Sequence, residues 1–472
     1  MKKAILALVL VFIFVLSSCY GITHDDYNRG VTEYYRLVGE LDRLIGEIDG
    51  VIQELAAMRA GIHIAPASAD VPYGFDAVPR AEYTYSFSSA HGGMMITGFT
   101  GSAQNPAVLD NVPVTAIGNG AFRNLPITSV HIPETVIHIG SDAFSNTGLE
   151  GVVLPPRLQS VGNNAFAGTN ITELIIPGSM TEIPTGSFRN MPYLESVTVS
   201  YGVRRIAEGA FNSNPALYRV ILPESVTEIG AQAFQQAHNL RYINIPHGIT
   251  EIAHSTFLQT TNLRKLIIPE SITVIGLSAF FQSGLTEVII PATVGLIVDN
   301  AFAEMPYLRS FTIKSAETVI SPGAFRNNRA LETAILPDGM VNIPESMFRG
   351  AISLSDINLP NTVIEIGVQA FNDTPSLTSI HLPHGLERIE NMAFSGSGLT
   401  EITIPATVTF IGSNAFGANA NLTRVYFEGN APEMVGQVFW NHHPGLVIVH
   451  YADAEGFTNP WNGVPTMIRE RQ

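Results

Sequence analysis

Phe122, Phe144, Phe166, Phe188, Phe211, Phe234, Phe257, Phe280, Phe302, Phe325, Phe348, Phe371, Phe394, Phe416 and Phe439 follow one another at intervals of 22 or 23 residues. A fixed period in this range marks a solenoid, in which each coil packs only on its neighbours. It displaces the three globules of about 150 residues that a 472-residue chain would otherwise suggest. Intervals of 23 carry a longer loop, as in Asn212-Ser213-Asn214-Pro215-Ala216-Leu217. Intervals of 22 carry a shorter one, as in Ser145-Asn146-Thr147-Gly148-Leu149, so the stacked part stays in register. In the unit Leu217 to Phe234, Leu217, Val220 and Leu222 form a short strand that Pro223 stops. Val226 and Ile229 form a second extended piece, Gly230 turns the chain, and Ala233-Phe234 begins a short helical or 3₁₀ turn. The stop proline recurs at 133, 155, 177, 223, 246, 269, 291, 337, 360, 383 and 405, where it cannot donate to a ladder. A unit buries about six apolar side chains, worth roughly 1.5–3 kcal/mol each. It also fixes about 23 residues at roughly 1–2 kcal/mol each, so no coil stands alone. The expected fold is a mainly β repeat solenoid of about fifteen coils, roughly 70 Å long at ~4.8 Å per coil.

The repeat reads L-x-x-I-x-I-P-x-x-V-x-x-I-G-x-x-A-F. Leu285-Thr286-Glu287-Val288-Ile289-Ile290-Pro291 shows its first half, and Ile275-Gly276-Leu277-Ser278-Ala279-Phe280 its second. This pattern resembles the BspA-like leucine-rich repeat of bacterial surface proteins, over about residues 81 to 468. By that resemblance, 81–114 is an N-terminal cap, 115–440 a leucine-rich-repeat solenoid and 441–472 a C-terminal cap carrying Gly456, Trp461, Gly463 and Pro465. The family often has Cys three residues after the phenylalanine. Here that place holds Leu125, Thr147, Thr169, Met191 and Asn214, and any small or apolar filler is expected to serve. The resemblance implies protein binding and adhesion, with host extracellular-matrix or plasma proteins, or other bacterial surfaces, as partners.

The N-terminus differs in kind. Lys2 and Lys3 precede an apolar run from Ala4 to Leu16, which fits a secretory signal and is too short to span a bilayer. Leu16-Ser17-Ser18-Cys19 resembles a bacterial lipobox. That implies cleavage after residue 18, lipidation of Cys19, and a surface-exposed lipoprotein anchored to the cell envelope. Cys19 is the sole cysteine, which excludes a disulfide scaffold and a structural zinc knuckle. Within a stalk over 19–58, Val31, Tyr34, Val38, Leu41, Ile45, Ile48, Ile52 and Leu55 follow a heptad pattern and predict an amphipathic helix. Leu37, Leu44 and Val51 widen its stripe, while Tyr35, Asp42, Asp49 and Ala56 offer no good charge pairing. A homo-oligomeric coiled coil through residues 31–55 and a single docked helix both remain open. Residues 59–80, with Pro66, Pro72, Gly74 and Pro79, read as a linker.

A net charge of −16 excludes a nucleic-acid binder that works by neutralising phosphates. Residues two and four places after each leading leucine are expected to face outward. Among them Glu173, Glu287, Asp356 and Glu401 never fall on adjacent coils. A paired-carboxylate glycosidase needs about 5–9.5 Å between its carboxyls, and only Asp356 and Glu401 come near. His131 and His381 are eleven coils apart, and His442, His443 and His450 lack a partner at ligand spacing. No enzyme activity, metal or cofactor is therefore expected. Arg219, Tyr242, Asn244 and Lys265 cluster on three consecutive coils and form the candidate binding face. Lys314 to Ile320, with Lys314 at the proline place and Glu317 at an apolar one, is a candidate hinge, contact site or tolerated defect. Two other functions remain as alternatives: an envelope scaffold self-associating through the heptad helix, and a carbohydrate-binding or polysaccharide-cleaving solenoid.

Overall fold

The computed structural model describes residues 82–101 and 114–470. We number the coils by the phenylalanine that ends each, from Phe122 for coil 1 to Phe439 for coil 15. Coils have up to two extended segments in parallel pairings with their neighbours, and in coils 3, 8, 12 and 13 only the second is a strand. The first lies between leading leucine and proline, as in Arg219–Ile221; the second ends on an inward isoleucine, as in Glu228–Ile229. At the N-terminal end Tyr83–Ser88 runs antiparallel to Gly93–Phe99, which pairs parallel with Val114–Ile117. Val447–Tyr451 and Thr466–Arg469 extend the last ladder.

All fifteen repeat phenylalanines are buried. Successive rings lie near-parallel, with centroids 5.0 Å apart between Phe122 and Phe144 and 5.9 Å between Phe234 and Phe257, within the range of favourable aromatic contact. Between Phe325 and Phe348 the column passes through Phe311, 4.1 Å from the first and 5.9 Å from the second. Phe311 takes a strand position held by Val220 in coil 6 and Val288 in coil 9. Its register partner in the next coil is Ala334, so a large side chain meets a small one and the density of the interior is kept. Phe99 and Tyr83 continue the column at the N-terminal end.

The expected helical or 3₁₀ turn at each phenylalanine is instead a chain of single turns, and no α-helix occurs among the described residues. In coil 6, Gln232 and Gln236 flank Phe234 with φ of 57° and 60°. A left-handed residue on either side of Phe234 stops a helix from propagating. Amide groups of Ala233, Gln235 and Ala237 donate three residues back within the coil. Those of Gln232, Phe234 and Gln236 donate forward to His254, Thr256 and Leu258 of coil 7. Every N–H from Gln232 to Ala237 is thus used, as burial demands. Strand amides run the other way: Gly230 N–H donates back to the carbonyl of Ile206. Side chains reinforce the arc, with Gln236, Gln259, Gln282 and Glu304 bonded in series from coil to coil.

Each of the eleven stop prolines accepts a hydrogen bond at its carbonyl from the residue three places on, as Val226 N–H does to Pro223. Coils 5, 10 and 15 carry Ser200, Lys314 and Glu428 instead. Those three amides donate to Ile176, Ile290 and Ile404 of the preceding coil. The three places stand 114 residues apart, which is five coils, and coils 4, 9 and 14 just before them are all 22-residue coils. A five-coil block therefore lies above the single repeat. The region Lys314 to Ile320 is no interruption: Val319–Ile320 pairs in register with Leu296–Ile297. The turn slips by one residue, so Thr318 is buried and donates to the Val294 carbonyl, while Glu317 faces water.

Candidate binding face

The parallel pairing sets Arg219 beside Tyr242 and beside Ser196, and Lys265 takes the same place one coil on. Arg219, Tyr242 and Lys265 all face outward, Tyr242 being half exposed. Asn244 does not belong with them. Its carboxamide oxygen accepts from Leu222 N–H at 2.9 Å and its NH₂ donates to the Leu222 carbonyl at 2.7 Å. It closes the ladder where the Arg219–Ile221 strand ends, so both ends of the amide are engaged by backbone.

Tyr218, Arg241 and Arg264, each directly after the leading leucine, join the face. Strand alternation singles out the second and fourth places, yet the first is also at the surface because the strand has barely begun there. Six positions on coils 6, 7 and 8 thus carry four cations and two tyrosines. Glu195 and Glu287 bound them on coils 5 and 9. The Arg264 guanidinium lies 3.8 Å over the Tyr307 ring and donates to the Gly284 carbonyl, which fixes its plane. Arg219, Arg241 and Lys265 form no ion pair among the described residues. The neighbouring band contrasts with this. Arg205 sits between Glu228 and Glu182 at 2.8 and 2.6 Å, and the hydrogen bond it donates to Glu228 raises its pKa. At the fourth position Ile267 on coil 8 and Ile289 on coil 9 are 51% and 44% exposed at one end of the cations, and Ile175 and Ile335 lie farther along the array. This arrangement can hold a partner that is acidic and carries an apolar part at one end.

Among the described residues the acidic and histidine candidates stand apart from one another. Glu401 is in register with Arg424 and Glu287 with Ser310. His450 stacks on Phe457 at 4.3 Å, and His442 bonds the His443 carbonyl through its ring nitrogen. Among the described residues no group of three or more His, Cys, Asp or Glu side chains could hold a metal. Leu16, Ser17, Ser18, Cys19 and the heptad over 31–55 lie outside the described residues.

The place three after the phenylalanine takes apolar side chains in several coils, as at Met191, Ala237 and Ala351, and in others a polar one that bonds the backbone. Thr147, Thr169, Thr260 and Thr374 donate to the carbonyl of their own coil's phenylalanine. Asn214, Asn328 and Asn419 reach the phenylalanine carbonyl of the preceding coil. Where the side chain is apolar the residue's own amide serves that carbonyl, as Ala237 N–H does for Phe234, so the threonine and asparagine bonds are additions to a filler site.

A family model described as BspA type leucine-rich repeat region matches residues 115–241, 227–354 and 318–446. A leucine-rich repeat protein from Bacteroides ovatus is similar at 27% identity and a TM-score of 0.60, over 73% of this chain and 93% of that one. A leucine-rich cell surface protein from Faecalibacterium prausnitzii is 25% identical over 77% of this chain and 97% of that one, with a TM-score of 0.39. No curated protein matches.

Proposed function

The chain belongs to the BspA-type leucine-rich repeat family, and from that premise we propose that it is a non-catalytic, lipid-anchored surface protein that binds proteins through its strand face. The observation that carries this reading is the set of four cations and two tyrosines on coils 6–8, beside the exposed Ile267 and Ile289, in a chain of net charge −16. Opposite charge steers an acidic partner toward the face, while the isoleucines supply apolar area that a hydrated polyanion could not bury. The lipobox-like segment ending in Cys19 supports export and anchoring, and many anchored copies raise weak contacts by effective concentration. The partners would be extracellular-matrix or plasma proteins, or proteins on other bacterial surfaces.

The test is binding of the purified chain to immobilised matrix and plasma proteins, with the variant Arg219→Glu/Tyr242→Ala/Lys265→Glu alongside. Loss of at least about ten-fold in affinity, and weakening with added salt, is expected. Binding that the triple variant leaves unchanged would sink the assignment of the face. For the anchor, Cys19→Ser should abolish lipid labelling and release the chain, and continued membrane retention would refute it.

A further inference from the structure

The turn arc carries a separate feature near the C-terminal end of the array. An open depression of about 490 Å³ spans coils 13 to 15 and is lined by Met392, Ser413, Asn414, Gln437 and Trp440. Met392 and Asn414 occupy the left-handed place two residues before their phenylalanines, with φ of 57° and 53°. Trp440 follows Phe439 directly, and its residue is 55% exposed. The carbonyl of Trp440 accepts from Ala418 N–H at 2.8 Å, which fixes coils 14 and 15 in register.

Directly after the phenylalanine, other coils carry side chains from Ala167 and Ser395 to Arg189 and Arg349, but coil 14 carries Gly417. Gly417 is not left-handed, so its backbone does not demand glycine. A Cβ there would lie 3.2 Å from the carbonyl oxygen of Asn414 and 3.3 Å from its Cβ. A side chain at 417 would therefore press on Asn414, one of the residues that line the hollow.

The lining chemistry is selective. No charged side chain takes part, although the chain as a whole carries 66 Lys, Arg, Asp and Glu residues, 25 basic and 41 acidic. The carboxamides of Asn414 and Gln437 each offer a donor and an acceptor, and Ser413 adds a hydroxyl. Beside them stands an exposed indole, an apolar face with a polar edge. A pyranose is the complement of this set. Its axial C–H face is apolar, its rim is a ring of hydroxyls that donate and accept, and it bears no charge. We propose that coils 13–15 form a binding subsite for a neutral pyranose residue, with Trp440 as the stacking platform and Asn414 and Gln437 as the hydroxyl-reading groups. The subsite is independent of the strand face on coils 6–8.

The two tryptophans make the test direct. Trp461 is packed against Phe457 and Phe427 at 4.7 and 5.2 Å, whereas Trp440 is exposed. The full chain is titrated with methyl β-D-glucopyranoside, methyl β-D-galactopyranoside and N-acetyl-D-glucosamine, following tryptophan emission and, in parallel, heat of binding. A saturable response to at least one sugar is expected, with Kd on the order of 1 mM for a single shallow subsite. Trp440→Ala should abolish the heat of binding, and Gly417→Arg should weaken it at least about ten-fold. Should Gly417→Arg lower the unfolding midpoint, Asn414→Ala provides the same reading from the solvent side. No saturable response to any of the three sugars up to about 50 mM, or affinity unchanged in Trp440→Ala, overturns the proposal. Failure here would leave protein binding by the strand face untouched, and loss of that binding in the triple variant should leave the sugar response intact.

Discussion

Coils that end their first strand in proline and the three that do not differ by one residue type, yet their ladders differ along their whole length. Into coils 5, 10 and 15 the pairing runs for four residues, as from Glu287–Ile290 to Ser310–Ile313. Out of coil 5 it runs for three residues, then for two between coils 6 and 7. In coil 8, around Lys265, no strand remains. A proline has no N–H to give back to the preceding coil, so the ladder between that coil and its own closes early. The arc and second-strand bonds hold the proline-stopped coils, and the proline-free coils add one backbone bond each at the end of the first strand. The cationic face lies where the ladder fades, between one proline-free coil and the next.

The proline-free coils 5 and 10 also hold Asn214 and Asn328, and these offer the sharpest way to break the comparison. Asn328 is fully buried. It accepts from Met305 N–H and donates to the carbonyls of Phe302 and Phe325. Asn328→Ala would orphan an amide and two carbonyls, at about 1–3 kcal/mol for each buried group left unsatisfied. Some sharing of bonds on relaxation brings the expected loss to about 3–5 kcal/mol, the largest of the effects considered. Thr260→Ala in proline-stopped coil 7 removes one hydroxyl bond and should cost only about 1 kcal/mol. Denaturant unfolding of both variants checks this, and equal losses would mean that the asparagine is no brace.

The phenylalanine column and the proline stops were legible because both recur at fixed intervals and each has one dominant physical role. Thr147 or Asn328 was not legible as a brace. A polar residue in a position that elsewhere takes Ala237 or Met191 looks like tolerance until the buried carbonyl beside it is seen. The turn arc was misread for a related reason: Gln232 and Gln236 have no intrinsic preference for positive φ, and only the bonds to coil 7 hold them there. On the binding face, Arg219, Tyr242 and Lys265 followed from strand alternation. Asn244 fitted the same alternation but is taken up by the backbone of Leu222. Arg241 and Arg264 fell outside the alternation because they precede the regular strand.

Converting one class of coil into the other should have a smaller effect. Lys314→Pro removes the bond to the Ile290 carbonyl, at about 1 kcal/mol. A stiffer unfolded chain offsets this by roughly 0.4–1 kcal/mol. The Lys314–Glu270 ion pair is lost as well, but both side chains are exposed, and such pairs contribute little. Global stability should therefore change by less than about 1 kcal/mol, while the four-residue pairing shortens. Hydrogen exchange is the measurement, with protection at Phe311, Thr312 and Ile313 expected to fall toward that of Tyr242 and Ile243. Unchanged protection would show that proline is not what sets ladder length.

The smallest effect belongs to the N-terminal end, where imidazoles take the place of a buried amide. His138 of coil 2 stacks on His91 of the N-terminal hairpin with centroids 4.3 Å apart, and its Nδ1 lies 2.7 Å from the Ser160 hydroxyl. Desolvation, and secondarily the charge that His91 would carry, lower the pKa of His138. A histidine with a depressed folded-state pKa binds fewer protons than the unfolded chain does once the pH falls below its ordinary value near 6.5. Its contribution is fully present above that value and is lost as the pH falls through it toward the folded pKa. Because His138 is only half-buried, the fall in Tm between pH 7.5 and 5 that it causes should be about 1–2 °C. His138→Gln should remove most of that slope and His91→Asn the lesser part, since burial is the larger cause. A wild-type Tm that rose on acidification while the His138→Gln variant stayed flat would reverse the sign and discard the account.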